Sequence, residues 1–249
     1  MLLAVDIGNT NITLGLFDKN KLVKTFSLSS HCENSKTSYA QALNSELSTY
    51  TINCCFISSV CDEALENFKS AIEDNLKVKT CILSASSFKN MKISVPNPNS
   101  VGIDRLVDAY AVKYKYNFPA IVVDIGTAIT FDIISKNGDF TGGIIMPGLN
   151  MKINSLYTQT SKLPLLKLEN VKNIIGNSTE SSILSGVVIG TACEIDGIIE
   201  KLQKELGKNV QTILTGGQSE FIKPYLKNDI IIDQYLTLEG INIAANEIA

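Results

Sequence analysis

The chain is poor in the residues that most binding and catalytic sites are built from. Its 249 residues include no Trp, one His (His31) and one Arg (Arg105). A His-rich metal site is therefore excluded, and a guanidinium fork for an anion can come only from Arg105. Six cysteines are present, but no CxxC pair occurs. Adjacent Cys54 and Cys55 sit in the apolar run INCCFISSV and read as small buried hydrophobes of a strand. No GxxxxGK[ST] loop and no GxGxxG turn occurs, which excludes a standard P-loop or dinucleotide fingerprint. No apolar run reaches the roughly 18 residues of a membrane span, so no membrane association is expected. The opening MLLAVDIGNT meets an acid at Asp6 without a basic n-region, so no secretory signal is expected and the simplest setting is cytoplasmic. The formal net charge of -3 argues against a broad nucleic-acid surface.

What is present suits a folded α/β chain. Hydrophobic residues make up 45% and charged residues 19%, enough apolar content for a substantial core. LLAVD, ITLGLFD and KLVKTFSLS read as an antiparallel meander. Helices are expected at 36–49, 62–75, from about Val101 to Tyr116, at 149–159, at 179–206 and at the terminal LTLEGINIAANEIA. NCCFISSV, VKTCILSA and VQTILTGG read as further strands, and SKLPLLKLEN as a loop.

The opening pattern returns. LLAVDIGNTNITLGLFD at 2–18 is repeated as AIVVDIGTAITFDII at 120–134. Each is an apolar strand, Asp-Ile-Gly, a small polar turn and a second apolar strand. Asp132 closes the second repeat, with Asp18 as its expected counterpart. A repeat at half the chain length implies two similar halves. The expected domains are 1–115 and 116–249.

Glycine in such turns lets backbone approach a phosphate closely. Backbone N–H groups, Asn9 and the hydroxyls of Thr10, Thr127 and Thr130 can donate to phosphate oxygens. Asp6 and Asp124 would repel phosphate directly, so they imply an intervening cation, its water, or protein donors. The glycine pair of LTGG (214–217) can let a base or ribose pack on backbone. The two turns together suggest a nucleotide cleft. In PNPNSVGIDRL (96–106), Asp104 and Arg105 fall in the first two turns of a helix. Arg105 can bind a carboxylate or phosphate, and Asp104 can orient and deprotonate an alcohol. Asp108 lies one turn on and could belong to the site or pair with Arg105. His31, in the polar stretch SSHCEN, reads as a solvated histidine.

These residues resemble the type III pantothenate kinases of the actin/Hsp70/sugar-kinase superfamily. The matching stretches are Asp6-Ile7-Gly8-Asn9-Thr10-Asn11 with Gly15-Leu16-Phe17, then Val101-Gly102-Ile103-Asp104-Arg105-Leu106. They continue through Asp124-Ile125-Gly126-Thr127-Ala128-Ile129-Thr130, Gly142-Gly143-Ile144-Ile145-Met146-Pro147-Gly148 and the region 177–186. The resemblance implies two actin-like (ribonuclease H-like) domains and transfer of the ATP γ-phosphoryl group to the terminal hydroxyl of pantothenate. It implies Asp104 as general base, with Gly102, Ile103, Arg105 and Thr179 contacting pantothenate. It implies an ATP phosphate loop at 6–13 (Asp6, Ile7, Gly8, Asn9, Thr10, Asn11, Ile12, Thr13) and a further ATP contact at Thr127. Asp124 corresponds to the ligand of a monovalent cation, K⁺ or NH₄⁺. Mg²⁺ is expected on the ATP phosphates near Asp6, and a homodimer is the family norm. The chain departs from the family in carrying Val95 where a tyrosine is frequent and Asp108 where Asn is frequent. The second change is expected to set a negative charge near Asp104 and raise its pKa. Two alternatives share the same residues: a kinase for another small hydroxylated substrate, and a nucleotide-binding regulator without transfer chemistry. Dependence of ADP release on pantothenate separates them.

Overall fold

The structure is a computed structural model describing residues 1–30, 36–207 and 209–248. His31 and Cys32 lie outside the described residues. The chain forms two compact units: Met1–Lys115 together with Tyr235–Ala249, and Tyr116–Gln234.

In the first unit, β1 (Leu2–Ile7), β2 (Asn11–Asp18) and β3 (Lys21–Ser29) make an antiparallel meander. The chain then passes through α1 (Lys36–Leu47), β4 (Cys54–Ser59), α2 (Asp62–Leu76) and β5 (Thr80–Ile82). The sheet order is β3-β2-β1-β4-β5, with β4 parallel to β1 and β5 parallel to β4. Alternation decides the faces. Leu3, Val5 and Ile7 join Ile12, Leu14, Leu16, Cys55 and Ile57 in one core under α1 and α2. The α2 helix follows from its spacing: Ala64, Phe68, Ala71 and Ile72 form one apolar stripe, and Asp62 and Glu63 sit at the positive end of its dipole. Burial pushes the Cys55 thiol well above its ordinary pKa, as expected for a packed hydrophobe.

After α3 (Ile103–Lys115), the second unit repeats the plan. β6 (Ala120–Ile125), β7 (Ala128–Ile134) and β8 (Phe140–Pro147) form the meander. Helices α4 (Leu149–Gln159) and α5 (Thr179–Leu206), strand β9 (Gln211–Thr215), the short α6 (Ser219–Ile222) and β10 (Ile231–Ile232) follow. The order is β10-β9-β6-β7-β8, with β9 parallel to β6. Both sheets are mixed and share one topology, as the repeated strand–turn–strand units require. The α5 helix is long and apolar enough to cross a membrane by length and composition. Here it is a core helix: Ile183, Val187, Val188, Ala192, Ile195 and Ile199 pack in the second core. It starts with a capping box, Ser178 accepting from the Ser181 N–H while the Ser181 side chain caps the Ser178 N–H.

Two sequence expectations are corrected. The terminal helix α7 (Leu236–Ile248) does not continue the second half; the stretch from Tyr235 groups with the first unit. It buries Leu236, Leu238, Ile241, Ala244 and Ala245, packs on β1, β2 and β4, and crosses α3. Tyr110 and Tyr114 of α3 both donate hydrogen bonds to Glu247 of α7. The second correction concerns Asp132. Its partner in the repeat is Gly15, not Asp18, because the β6–β7 turn is one residue shorter than the β1–β2 turn. Asp6 pairs with Thr13 in one ladder, and Asp124 pairs with Thr130 in the other. Asp132 is fully buried in mid-strand and accepts from Thr130 Oγ1 at 3.3 Å, whereas Asp18 is exposed at a strand end.

Candidate active site

Each repeated aspartate leaves its sheet on the face opposite the core built from its flanking strand residues, Val5 and Ile7 in the first unit and Val123 and Ile125 in the second. Asp6 follows buried Val5 and precedes buried Ile7, and its register partners are Thr13 on β2 and Ser58 on β4. Asp124 lies between buried Val123 and Ile125, with register partners Thr130 on β7 and Thr215 on β9. Partners in register point to the same face. Each acid is thus flanked by two hydroxyl residues, Thr13 and Ser58 in one unit, Thr130 and Thr215 in the other.

In the first unit, the Ser58 hydroxyl donates to Asp6 Oδ1 at 3.0 Å. Burial, reinforced by the nearby Asp104 charge, pushes the Asp6 carboxyl up to about 7 against the opposing Ser58 bond. The following turn closes with Gly8 N–H donating to Asn11 O at 3.0 Å. Asn9, Thr10 and Asn11 are exposed there. Ile7 and Ile12 point into the core, so only their backbone is available to a phosphate.

Asp104 occupies the first turn of α3, where the helix dipole favours a carboxylate. Its Oδ1 accepts the Arg105 N–H at 2.8 Å. Gly102 makes that geometry possible, since a Cβ there would lie 2.5 Å from Asp104 Oδ1. Burial raises the Asp104 pKa above the ordinary carboxylate value, opposed by the Arg105 N–H and the Arg105 charge. The structure therefore brings Asp6, Ser58, Gly102, Asp104 and Arg105 into one neighbourhood of the first unit. Asp108 is 1% exposed and accepts from Thr237 Oγ1 of α7 at 2.7 Å. The Asp104 charge acts on Asp6.

In the second unit, the turn after Asp124 is held by Gly126 N–H donating to Ala128 O at 3.0 Å and Gly148 N–H donating to Thr127 O at 3.2 Å. Gly216, at φ +90°, lies directly against the acid: a Cβ there would come within 2.1 Å of Asp124 Oδ1. Only glycine fits this cradle. Thr127 is exposed on the turn. Thr179 belongs to a different element of the second unit. It begins α5 and lines a cavity of about 1180 Å³ between α4 and α5, with Met151, Lys152, Leu156, Asn177 and Ser182. Lys152 is tied there to Thr191 Oγ1 at 2.8 Å and to Glu194.

Among the described residues, no group of three or more His, Cys, Asp or Glu side chains could hold a metal ion. A thiolate or imidazole metal centre is thus foreign to this site. A single carboxylate in a glycine cradle among hydroxyls suits a hard cation that takes mostly neutral oxygens. Sequence reasoning missed Ser58 and Thr215, which are identified only by strand register.

A family model for type III pantothenate kinase matches residues 2–201. A type III pantothenate kinase of Syntrophus aciditrophicus (strain SB) is 38% identical over 248 residues, covering 98% of each chain. One from Persephonella marina (strain DSM 14350 / EX-H1) is 37% identical, covering 97% of this chain and 96% of its own. The chain belongs to the type III pantothenate kinase family. Family membership covers both Asp-Ile-Gly turns, the Asp104 segment and the Thr179 helix. A solved Campylobacter jejuni protein assigned to the Baf family of transcriptional activators shares the fold, with TM-score 0.61 and 24% identity over 99% of this chain and 98% of that one.

Proposed function

We propose that the protein phosphorylates the terminal hydroxyl of pantothenate with ATP, giving 4'-phosphopantothenate and ADP in the first step of coenzyme A biosynthesis. The observation that carries this reading is the half-buried Asp104 carboxylate at the start of α3, beside Arg105 and made room for by Gly102, in a chain matched to the family over nearly its full length. Asp104 orients the pantothenate hydroxyl and accepts its proton as the oxygen attacks the γ-phosphorus and ADP leaves. Its raised pKa makes it a better base than an ordinary aspartate. Positioning and charge stabilisation supply the rest of the catalysis.

Arg105, with Gly102 and Ile103, binds pantothenate beside the base; Thr179 contributes from the start of α5. The turn 6–13 and Thr127 hold ATP phosphates through backbone N–H groups and hydroxyls. Asp6 holds the Mg²⁺ that accompanies ATP through water, and Asp124 holds K⁺ or NH₄⁺. The cations neutralise phosphate charge when bound. The Gly216 cradle around Asp124 supports the second assignment.

The working form is a cytoplasmic homodimer. Exposed apolar side chains on the second unit support self-association: Ile145, Leu165, Ile174 at 73% and Ile175 at 86% exposure. Sedimentation of the wild type against Ile174→Glu/Ile175→Glu tests it, with a monomeric wild type as the contrary result.

The deciding experiment is ADP release by purified protein with Mg²⁺ and KCl, with and without pantothenate. Pantothenate should stimulate release strongly, whereas sugars, acetate and glycerol should not. Stronger stimulation by another alcohol or carboxylate would overturn the substrate assignment. ATP binding without pantothenate-dependent turnover would overturn the enzymatic one.

A further inference from the structure

The two repeated acids differ in how their neighbouring hydroxyl is used. Ser58 on β4 and Thr215 on β9 hold the same place in the duplicated ladder, each the parallel partner of the repeated aspartate. Ser58 donates its proton to Asp6. Thr215, 1% exposed, has no hydrogen-bond partner for its hydroxyl among the described residues. Its neighbour Leu214 faces the core, so the Thr215 side chain lies on the opposite face with Asp124. Buried hydroxyls are normally bonded, because leaving one unmet is costly. An apolar residue would serve packing better at this position, as Ile213 does two places earlier on the same face. In the same turn, Gln218 Oε1 and Ser219 Oγ are also buried without partners.

We propose that the Thr215 hydroxyl is a second side-chain oxygen ligand, beside Asp124, for the monovalent cation of this enzyme. The idea rests on the cation role given above to Asp124. The Asp124 carboxylate disfavours a phosphate oxygen at the same spot, whereas a hydroxyl lone pair next to a carboxylate suits a cation that exchanges hydration water for neutral oxygens. In the first unit the equivalent hydroxyl donates to its acid, whereas the Thr215 hydroxyl beside Asp124 has no hydrogen-bond partner among the described residues. Thr215 thereby becomes a residue that sets cation affinity.

The test uses the purified full-length protein with ADP and Mg²⁺. KCl is titrated against choline chloride at constant ionic strength, reading both melting temperature and calorimetric ADP affinity. Thr215→Val keeps the shape and removes the oxygen; Thr215→Ser keeps the oxygen. The expected result is a half-saturating KCl concentration raised about tenfold in Thr215→Val, the scale of one lost bond to a charged partner. Thr215→Ser should stay near wild type. A Thr215→Val midpoint equal to wild type, while Asp124→Asn abolishes the KCl response, overturns the Thr215 role and leaves that of Asp124 standing. ADP affinity lowered equally with and without KCl assigns the hydroxyl to the nucleotide and also overturns the proposal. A wild type without any KCl response overturns both roles.

Discussion

Ser58 Oγ lies 3.0 Å from Asp6 Oδ1, and its hydrogen bond opposes the burial and the Asp104 charge that together raise the Asp6 carboxyl to about 7. The pH dependence of the ligand-free protein follows. The unfolded chain ionises Asp6 near its ordinary value of 3.8, while the folded chain keeps the proton until about 7. Between those values the folded state binds more protons, so rising pH erodes stability and the loss is complete above 7. Asp6→Asn removes this penalty. Urea unfolding should find it more stable than wild type at pH 8, by up to about 4 kcal/mol, with the advantage shrinking toward pH 4. An advantage that does not vary with pH would refute the assignment.

Asp104 is held by its own helix N-terminus rather than by a distant partner. Asp104→Asn keeps the size and the acceptor oxygen for the Arg105 N–H. We expect a melting temperature at or above that of wild type at neutral pH, where the charge penalty of the partly buried carboxylate is relieved, and an unchanged ADP affinity, with turnover lowered about 10²–10⁴-fold, the range for losing a general base. Near-normal turnover in this variant would remove Asp104 from the role of base.

Asp108 tests how local these electrostatics are. It is bonded to Thr237 across the α3–α7 contact. Asn preserves an acceptor for that hydroxyl, so Asp108→Asn should leave the acid limb of the kcat–pH profile in place. A shift of that limb to lower pH would show that Asp108 acts on Asp104 after all.

The duplicated fold was legible because strand alternation and the Asp-Ile-Gly recurrence are local signals. Helices α2, α4 and α5 were legible for the same reason: apolar spacing and caps act within a few residues. The path of the terminal helix was not legible, because its docking on α3 depends on contacts such as Tyr110–Glu247, far apart in sequence. Asp104 and Arg105 were readable from one short segment. Ser58 and Thr215 were not, because neither is chemically distinctive in sequence. Strand register alone sets each beside its aspartate. The Asp132 misalignment arose the same way, since one residue fewer in the second turn shifts every later position of that strand.

The LTGG pair offers an internal control, because its two glycines meet different surroundings. A Cβ on Gly216 would lie 2.1 Å from Asp124 Oδ1 and 2.6 Å from the Ile125 nitrogen, at a φ of +90° that an L side chain rarely adopts. A Cβ on Gly217 would meet nothing within 4 Å. Gly216→Ala must therefore displace the acid or strain the turn, whereas Gly217→Ala can be accommodated. Thermal unfolding should place Gly216→Ala about 1–3 kcal/mol below wild type, with the KCl response lost alongside. Gly217→Ala should stay within about 0.5 kcal/mol and keep that response. Equal behaviour of the two variants would show that close packing at Gly216 does not hold Asp124 in position.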